Sequence, residues 1–132
     1  MQTLFHASIL LLSSLYTVLL IAYARIFAHG VDGVARIARP LLLGTVGLHL
    51  LSIVLRGVLL GACPLGSAVE FLWLVAFSIG AIYAVLELRI GERTTGVFAM
   101  TPTFLLQLIA TALPHWPAPV SVAMRLIPSF LL

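Results

Sequence analysis

Four long apolar runs, separated by short polar connections, constrain the fold of this chain more than any other feature. They cover about residues 9–27, 40–60, 68–88 and 97–113. An apolar run of about 20 residues is long enough to cross the hydrocarbon core of a bilayer as a helix. Because backbone polar groups in lipid must be hydrogen-bonded within the protein, the runs predict an all-α fold. We expect an integral membrane bundle of about four transmembrane helices, forming a single domain over residues 1–132.

Composition excludes a soluble globular protein. Hydrophobic residues make up 62% of the 132 residues, charged residues make up 8%, and the mean hydropathy is +1.21. A soluble domain of this size has too little interior to bury so much apolar surface. The first run is preceded by no basic residue, so we interpret it as a span and not as a signal peptide. Residues 120–132 are apolar again, which predicts a short interfacial helix or the start of a truncated fifth span.

The charged residues predict an orientation in the membrane. All seven basic residues are arginines. Five of them flank the first and third connections: Arg25, Arg36, Arg39, Arg89 and Arg93. By the positive-inside rule, these connections face the cytoplasm and the N-terminus faces the outside of the cell inner (plasma) membrane. A dense basic patch with interleaved aromatic residues is missing from the sequence, so we expect membrane lipid, and no nucleic acid, as a partner.

Several kinds of chemistry are excluded or disfavoured by the sequence. Its single cysteine, Cys63, cannot form an internal disulfide or a zinc site of several cysteines. The sequence contains no Cys-x-x-Cys-His, GxGxxG, P-loop or HExxH motif. We therefore predict no catalytic residue and no metal-ion site, and we favour a protein that is not an enzyme.

His49 is the leading candidate for a functional residue, because it lies near the middle of the second run. On a helical wheel Thr45, Ser52 and Arg56 fall within about 60° of it, which predicts an inward-facing polar stripe. A neutral imidazole at membrane depth can ligate haem iron, transfer a proton or hydrogen-bond a neighbouring helix. The residues alone leave these three roles open.

Arg56 and Glu70 lie at the facing ends of the second and third runs and are joined by a short connection. This placement predicts a partly buried ion pair that fixes the two helices relative to one another. Alternatively, the planar guanidinium of Arg56 could hold a ligand that bears a carboxylate.

The third run carries small residues at every fourth position: Ala76, Gly80 and Ala84. This spacing predicts a helix-packing stripe that lets another helix approach closely. Trp73 and Phe77 are expected on a separate face, where they could stack on a flat macrocycle or simply pack. Near the end of the same run, Glu87 is expected to snorkel towards the membrane surface or to pair with Arg25 or Arg89. In the fourth run, Gln107 offers one hydrogen-bonding group to a neighbouring helix.

Two stretches of this chain resemble the cytochrome c assembly protein family, specifically its CcsA/HemX-like branch. The first stretch runs from His49 to Arg56. The second covers residues 63–74, Cys-Pro-Leu-Gly-Ser-Ala-Val-Glu-Phe-Leu-Trp-Leu, in which a proline-containing loop precedes a glutamate that opens an aromatic-rich span. Tyr83, Glu87 and Gly96-Val97-Phe98 also match the continuation into the fourth span of that family.

The resemblance implies a membrane protein that handles or delivers haem during cytochrome c biogenesis. His49, Arg56 and Trp73 would then contact the haem. Members of the family are longer, so this chain corresponds to an N-terminal four-span part, and its partners would be the missing C-terminal half or other membrane subunits. A structural accessory subunit beside a larger membrane complex is the alternative. A small four-span transporter ranks third, because the first span has no carboxylate.

Overall fold

A computed structural model describes residues 2–30, 33–60 and 67–113, with side chains from residue 7 to residue 59 and from 67 to 113 within these ranges. The described chain forms four helices and no strand: α1 (Gln2–His29), α2 (Gly33–Leu60), α3 (Ala68–Ile90) and α4 (Gly96–Ala112). The all-α fold predicted from the apolar runs is therefore confirmed. Residues 120–132, for which we expect an interfacial helix or a truncated span, lie outside the described residues.

Three of the four helices are long and apolar enough to cross a membrane. The candidate spans are Ala7–His29, Gly33–Leu59 and Ala68–Ile90. The fourth apolar run forms a helix of 17 residues, which is about 25 Å long at the rise of an α-helix. Many large apolar side chains point away from the bundle, among them Val58, Phe71, Ile82 and Phe98. An apolar exterior of this extent is typical of a membrane protein.

The helices form a four-sided bundle in which each helix packs against its neighbours in sequence. Helix α1 contacts α2 and α4, and α3 contacts the same two helices, so α1 and α3 face each other across the core. The interior of α1 is lined at alternating intervals of three and four residues by Ile9, Leu12, Tyr16, Leu19, Tyr23 and Ile26. This spacing keeps one side of a helix against its partners.

Capping interactions fix the residues at which α3 begins and at which α1 and α3 end. The side chain of Ser67 accepts a hydrogen bond from the backbone N–H of Glu70, and Glu70 accepts one from the N–H of Ser67. This reciprocal capping box starts α3. Gly91, with φ of 77°, ends α3 by donating its N–H to the carbonyl of Glu87 at 3.0 Å. Gly30, with φ of 84°, donates in the same way to Ile26 at the end of α1.

Candidate functional site

His49 lies in the core of the bundle with no exposed surface. Its Nδ1 is 2.9 Å from the hydroxyl oxygen of Tyr16 on α1. The rings of Trp73 and Phe77 on α3 approach the imidazole edge to face, with centroids 5.5 and 5.6 Å away. The ring of Tyr16 also contacts the imidazole, with centroids 5.7 Å apart. We call His49, Tyr16, Trp73 and Phe77 the histidine cluster; the three aromatic residues hold the imidazole by one hydrogen bond and three ring contacts.

The second ring nitrogen of His49 differs from Nδ1 in its hydrogen bonding. Nε2 is buried and has no hydrogen-bond partner among the described residues. A nitrogen of a neutral imidazole in an apolar environment can bind haem iron, so a histidine at this position is chemically suitable as a haem ligand. The packing around it is closed, however, because aromatic rings enclose the imidazole. Because His49 has no exposed surface, a haem could reach it only if neighbouring side chains moved aside.

The polar stripe expected around His49 is only partly formed. Thr45 is buried, but its hydroxyl donates to the carbonyl of Leu41 at 2.8 Å. Ser52 likewise donates to the carbonyl of Leu48 at 2.9 Å. Both hydroxyls are therefore used within α2, and Tyr16 supplies the hydrogen bond to His49 that comes from another helix.

Trp73 does not lie on a separate face of α3. It is buried together with Ala76, Gly80 and Ala84, so the sequence-based assignment of its face was wrong. The interior side of a helix in a bundle is wide enough to include a residue three positions from the small stripe. A Cβ added to Gly80 would lie 3.4 Å from the Tyr16 hydroxyl and 3.6 Å from Cγ2 of Val46. A side chain larger than that of glycine at position 80 would therefore press on residues of both α1 and α2.

Arg56 and Glu70 are brought together as the sequence predicts. The Nε of Arg56 donates to Oε1 of Glu70 at 2.7 Å. The other carboxylate oxygen of Glu70 accepts the N–H of Ser67 at 3.1 Å. A single carboxylate therefore caps α3 and ties it to α2. Arg56 lies two turns from His49 along α2, which is about 10 Å of helix axis.

A second polar cluster surrounds Glu87, whose side chain is 1% exposed. The hydroxyl of Tyr23 donates to Oε2 of Glu87. The Nε atoms of Arg93 and Arg39 lie 3.6 and 3.9 Å from Oε1. Arg39 also donates to the backbone carbonyl of Glu87 at 3.0 Å, and Arg93 donates to the carbonyl of Ala35 at 3.0 Å. We call Glu87, Tyr23, Arg39 and Arg93 the Glu87 cluster.

The Glu87 cluster connects α1, α2 and α3 with the connection that precedes α4. Tyr23 belongs to α1, Arg39 to α2, Glu87 to α3, and Arg93 to the connection before α4. The ring of Tyr83 packs edge to face on Tyr23 at 5.5 Å. The expected pairing of Glu87 with Arg25 or Arg89 was wrong, because Arg39 and Arg93 face the interior and reach the carboxylate. The sequence signal that identifies this cluster is an acid at the end of an apolar run, at the same depth as a tyrosine in the first run.

Gln107 does not form the expected bond between helices. Its side chain has no exposed surface, and both amide atoms have no hydrogen-bond partner among the described residues. Helices α1 and α4 are instead joined by the hydroxyls of Ser13 and Thr111, which are 2.8 Å apart.

The bundle thus has two buried polar centres of different character. The histidine cluster is neutral and aromatic, which suits a ligand or a hydrogen bond, whereas the Glu87 cluster is charged and holds helices together. No protein-family model matches the chain, and neither a curated protein nor a solved structure is significantly similar to it. A function must therefore be inferred from the chemistry of these two centres.

Proposed function

We propose that this chain is a haem-handling membrane protein of cytochrome c biogenesis, and that His49 is its haem ligand. The observation that supports this proposal is the hydrogen bonding of the two nitrogens of the imidazole. A hydroxyl from another helix orients one nitrogen, while the other nitrogen is buried without a hydrogen-bond partner among the described residues. Histidines that ligate metals are commonly held in this way, with the non-ligating nitrogen fixed by a second group. The resemblance of residues 49–56 and 63–74 to the haem-handling family supports the same proposal.

Each residue of the site would have its own role. His49 would bind the iron, Arg56 would pair with a propionate, and Trp73 would pack against the macrocycle. The bound haem would itself be the group that is delivered for attachment to cytochrome c. Because Arg56 is paired with Glu70 in the described structure, a propionate would have to share the guanidinium with this carboxylate. A further ligand to the haem would come from a partner subunit.

Haem content tests the proposal directly. We expect protein purified from haem-replete cells, alone or with its membrane partner, to show a Soret band. His49→Ala should lose most of this absorbance because the ligand is removed, and Arg56→Gln should retain less haem than the wild type. His29→Ala is the matched control, since His29 is an exposed histidine at the end of α1, and it should retain the wild-type spectrum. Haem that persists in His49→Ala with unchanged amount and spectrum would remove His49 as the ligand.

A structural accessory subunit is the second candidate, and the closed packing of the core favours it. The imidazole is enclosed by aromatic rings, and the Glu87 cluster ties the helices into one unit. Outward-facing apolar side chains such as Val58 and Phe98 would then pack against neighbouring subunits. A complete lack of haem in every preparation, including those with a partner, would favour this function.

We also propose that the first and third connections face the cytoplasm. The ends of α1 and α3 and the starts of α2 and α4 carry five arginines, whereas the opposite end carries Arg56 among the described residues. In a Cys63→Ser background, Glu92→Cys should resist a membrane-impermeant maleimide added to intact cells and should react after lysis. Leu113→Cys, at the far end of α4, is the control and should react in intact cells. Labelling of Glu92→Cys by reagent added outside intact cells would show that the orientation is the opposite of the one proposed.

A further inference from the structure

We infer that Arg39 and Arg93 bind the phosphate of an anionic lipid headgroup, at the end of the bundle where both guanidinium groups face Glu87. One arginine belongs to α2 and the other to the connection between α3 and α4. A lipid bound there would therefore contact two separate parts of the chain. The site is distinct from the histidine cluster and does not depend on the proposed haem function.

Charge in the Glu87 cluster is unbalanced, because two guanidinium groups share one carboxylate. The Nε atoms of Arg93 and Arg39 lie 3.6 and 3.9 Å from the same oxygen, Oε1 of Glu87. The two guanidinium groups are therefore neighbours, and Glu87 balances the charge of only one of them. A second anion next to both groups would be attracted at short range.

Most hydrogen-bond donors of these two guanidinium groups have no acceptor among the described residues. A guanidinium carries five N–H groups. Arg39 donates one to the carbonyl of Glu87 and Arg93 donates one to the carbonyl of Ala35, each at 3.0 Å. The side chain of Arg39 is 35% exposed and that of Arg93 is 23% exposed, so a ligand can reach both. A phosphate has several acceptor oxygens and suits such a pair of donors.

The depth of the two arginines in the membrane favours a lipid as the source of the phosphate. Residues 40–59 are the part of the α2 span that follows Arg39, and they form about 30 Å of helix, which equals the thickness of the hydrocarbon core. Arg39 therefore lies at the boundary between hydrocarbon and headgroups. Arg93 lies just beyond the end of the α3 span at Ile90. Lipid phosphates occupy this same layer.

The surrounding charge favours an anionic lipid over a zwitterionic one. The sequence places five arginines but only three acids, Asp32, Glu87 and Glu92, in and beside the first and third connections. Such a surplus of positive charge attracts anionic lipids. Phosphatidylcholine carries the same phosphate together with a positive choline, which the arginines would repel. This end is also the one that we propose to face the cytoplasm, whose leaflet contains anionic lipids.

Native mass spectrometry of the full chain, released from detergent micelles that contain equal amounts of dioleoyl phosphatidylglycerol and dioleoyl phosphatidylcholine, tests the inference. We expect the wild type to retain phosphatidylglycerol at least about fivefold more than phosphatidylcholine, and Arg39→Gln and Arg93→Gln each to lower this retention by about fivefold. Arg89→Gln is the matched control, because it removes the same charge at the same end from an exposed arginine. Equal retention of the two lipids by the wild type, or an equal loss in Arg89→Gln, would overturn the inference.

A variant that gains binding guards against a loss caused by misfolding. Glu87→Gln removes the carboxylate that competes for the two guanidinium groups, so it should retain phosphatidylglycerol about twofold to fivefold better than the wild type. Unchanged or weaker retention in Glu87→Gln, with wild-type helicity by circular dichroism, would show that no phosphate shares these groups with the carboxylate.

Inorganic phosphate in the same assay distinguishes the two sources of the ligand. We expect inorganic phosphate at the concentration of the lipid to leave phosphatidylglycerol bound, because the acyl chains hold the lipid at the bundle surface. Displacement of the lipid by an equal concentration of inorganic phosphate would assign the site to a soluble anion and overturn the assignment to a lipid.

Discussion

Replacement of Glu87 by alanine should destabilise the bundle by about 2–3 kcal/mol, because it removes a buried carboxylate that accepts a hydrogen bond from Tyr23 and faces two partly exposed guanidinium groups. The carboxylate is 1% exposed and lies between the guanidinium groups of Arg39 and Arg93. Without it, the two partly exposed guanidinium groups would lose their counter-charge, and the buried hydroxyl of Tyr23 would lose its acceptor. The free energy of unfolding, measured by titration of detergent-solubilised protein with a denaturing detergent, should show this loss.

Two further variants test whether the loss of stability comes from the charge of Glu87 and whether it is specific to this position. Glu87→Gln keeps an oxygen that can accept from Tyr23 but removes the negative charge, so we expect an intermediate loss of stability. Glu92→Ala removes an exposed acid at the same end of the bundle, and the stability should change by less than about 0.5 kcal/mol. Equal stability of Glu87→Ala and Glu92→Ala would show that the Glu87 cluster contributes nothing to the fold.

The sequence predicted the parts of this structure that depend on local pattern. Runs of about 20 apolar residues determine the number and order of the helices, because a segment of this length satisfies its own backbone hydrogen bonds in lipid only as a helix. Arg56 and Glu70 were predictable as a pair because a short connection places the two helix ends side by side. The small residues Ala76 and Gly80 were identified as a packing stripe from their spacing alone.

The parts that the sequence did not predict depend on how each helix is rotated about its axis. Arg39 and Arg93 reach Glu87 because α2 and the third connection are oriented with these side chains towards α3. A helical wheel of a single segment gives no information about its orientation relative to other segments. Tyr16 was missed as the partner of His49 for the same reason: it is 33 residues away, on another helix. Tyr16 and Tyr23 are seven residues apart, and this spacing in an apolar run is the signal that could have indicated two inward-facing hydroxyls.

Gly96 reveals how closely α4 packs on the Glu87 cluster. A Cβ at this position would lie 2.6 Å from Cε1 of Tyr23 and 2.6 Å from the hydroxyl of Tyr83. We expect Gly96→Ala to destabilise the protein by about 1–3 kcal/mol, the usual cost of overpacking a core. Tyr23 cannot yield easily, because its ring is fully buried and its hydroxyl is bonded to Glu87.

Glycines elsewhere in the bundle provide the controls for this prediction. Gly44→Ala and Gly47→Ala lie within α2 where an added Cβ meets nothing within 4 Å, so both should be neutral or stabilise the helix by up to about 1 kcal/mol. If the penalty of Gly96→Ala comes from the clash with Tyr23, it should shrink in a Tyr23→Leu background, since the smaller side chain leaves room for the methyl group. The free energies of unfolding of the four proteins in this double-mutant cycle measure the coupling. An identical penalty in both backgrounds would mean that Tyr23 is not what excludes a side chain at position 96, and that Gly96 is required for another reason, such as the contact with Tyr83.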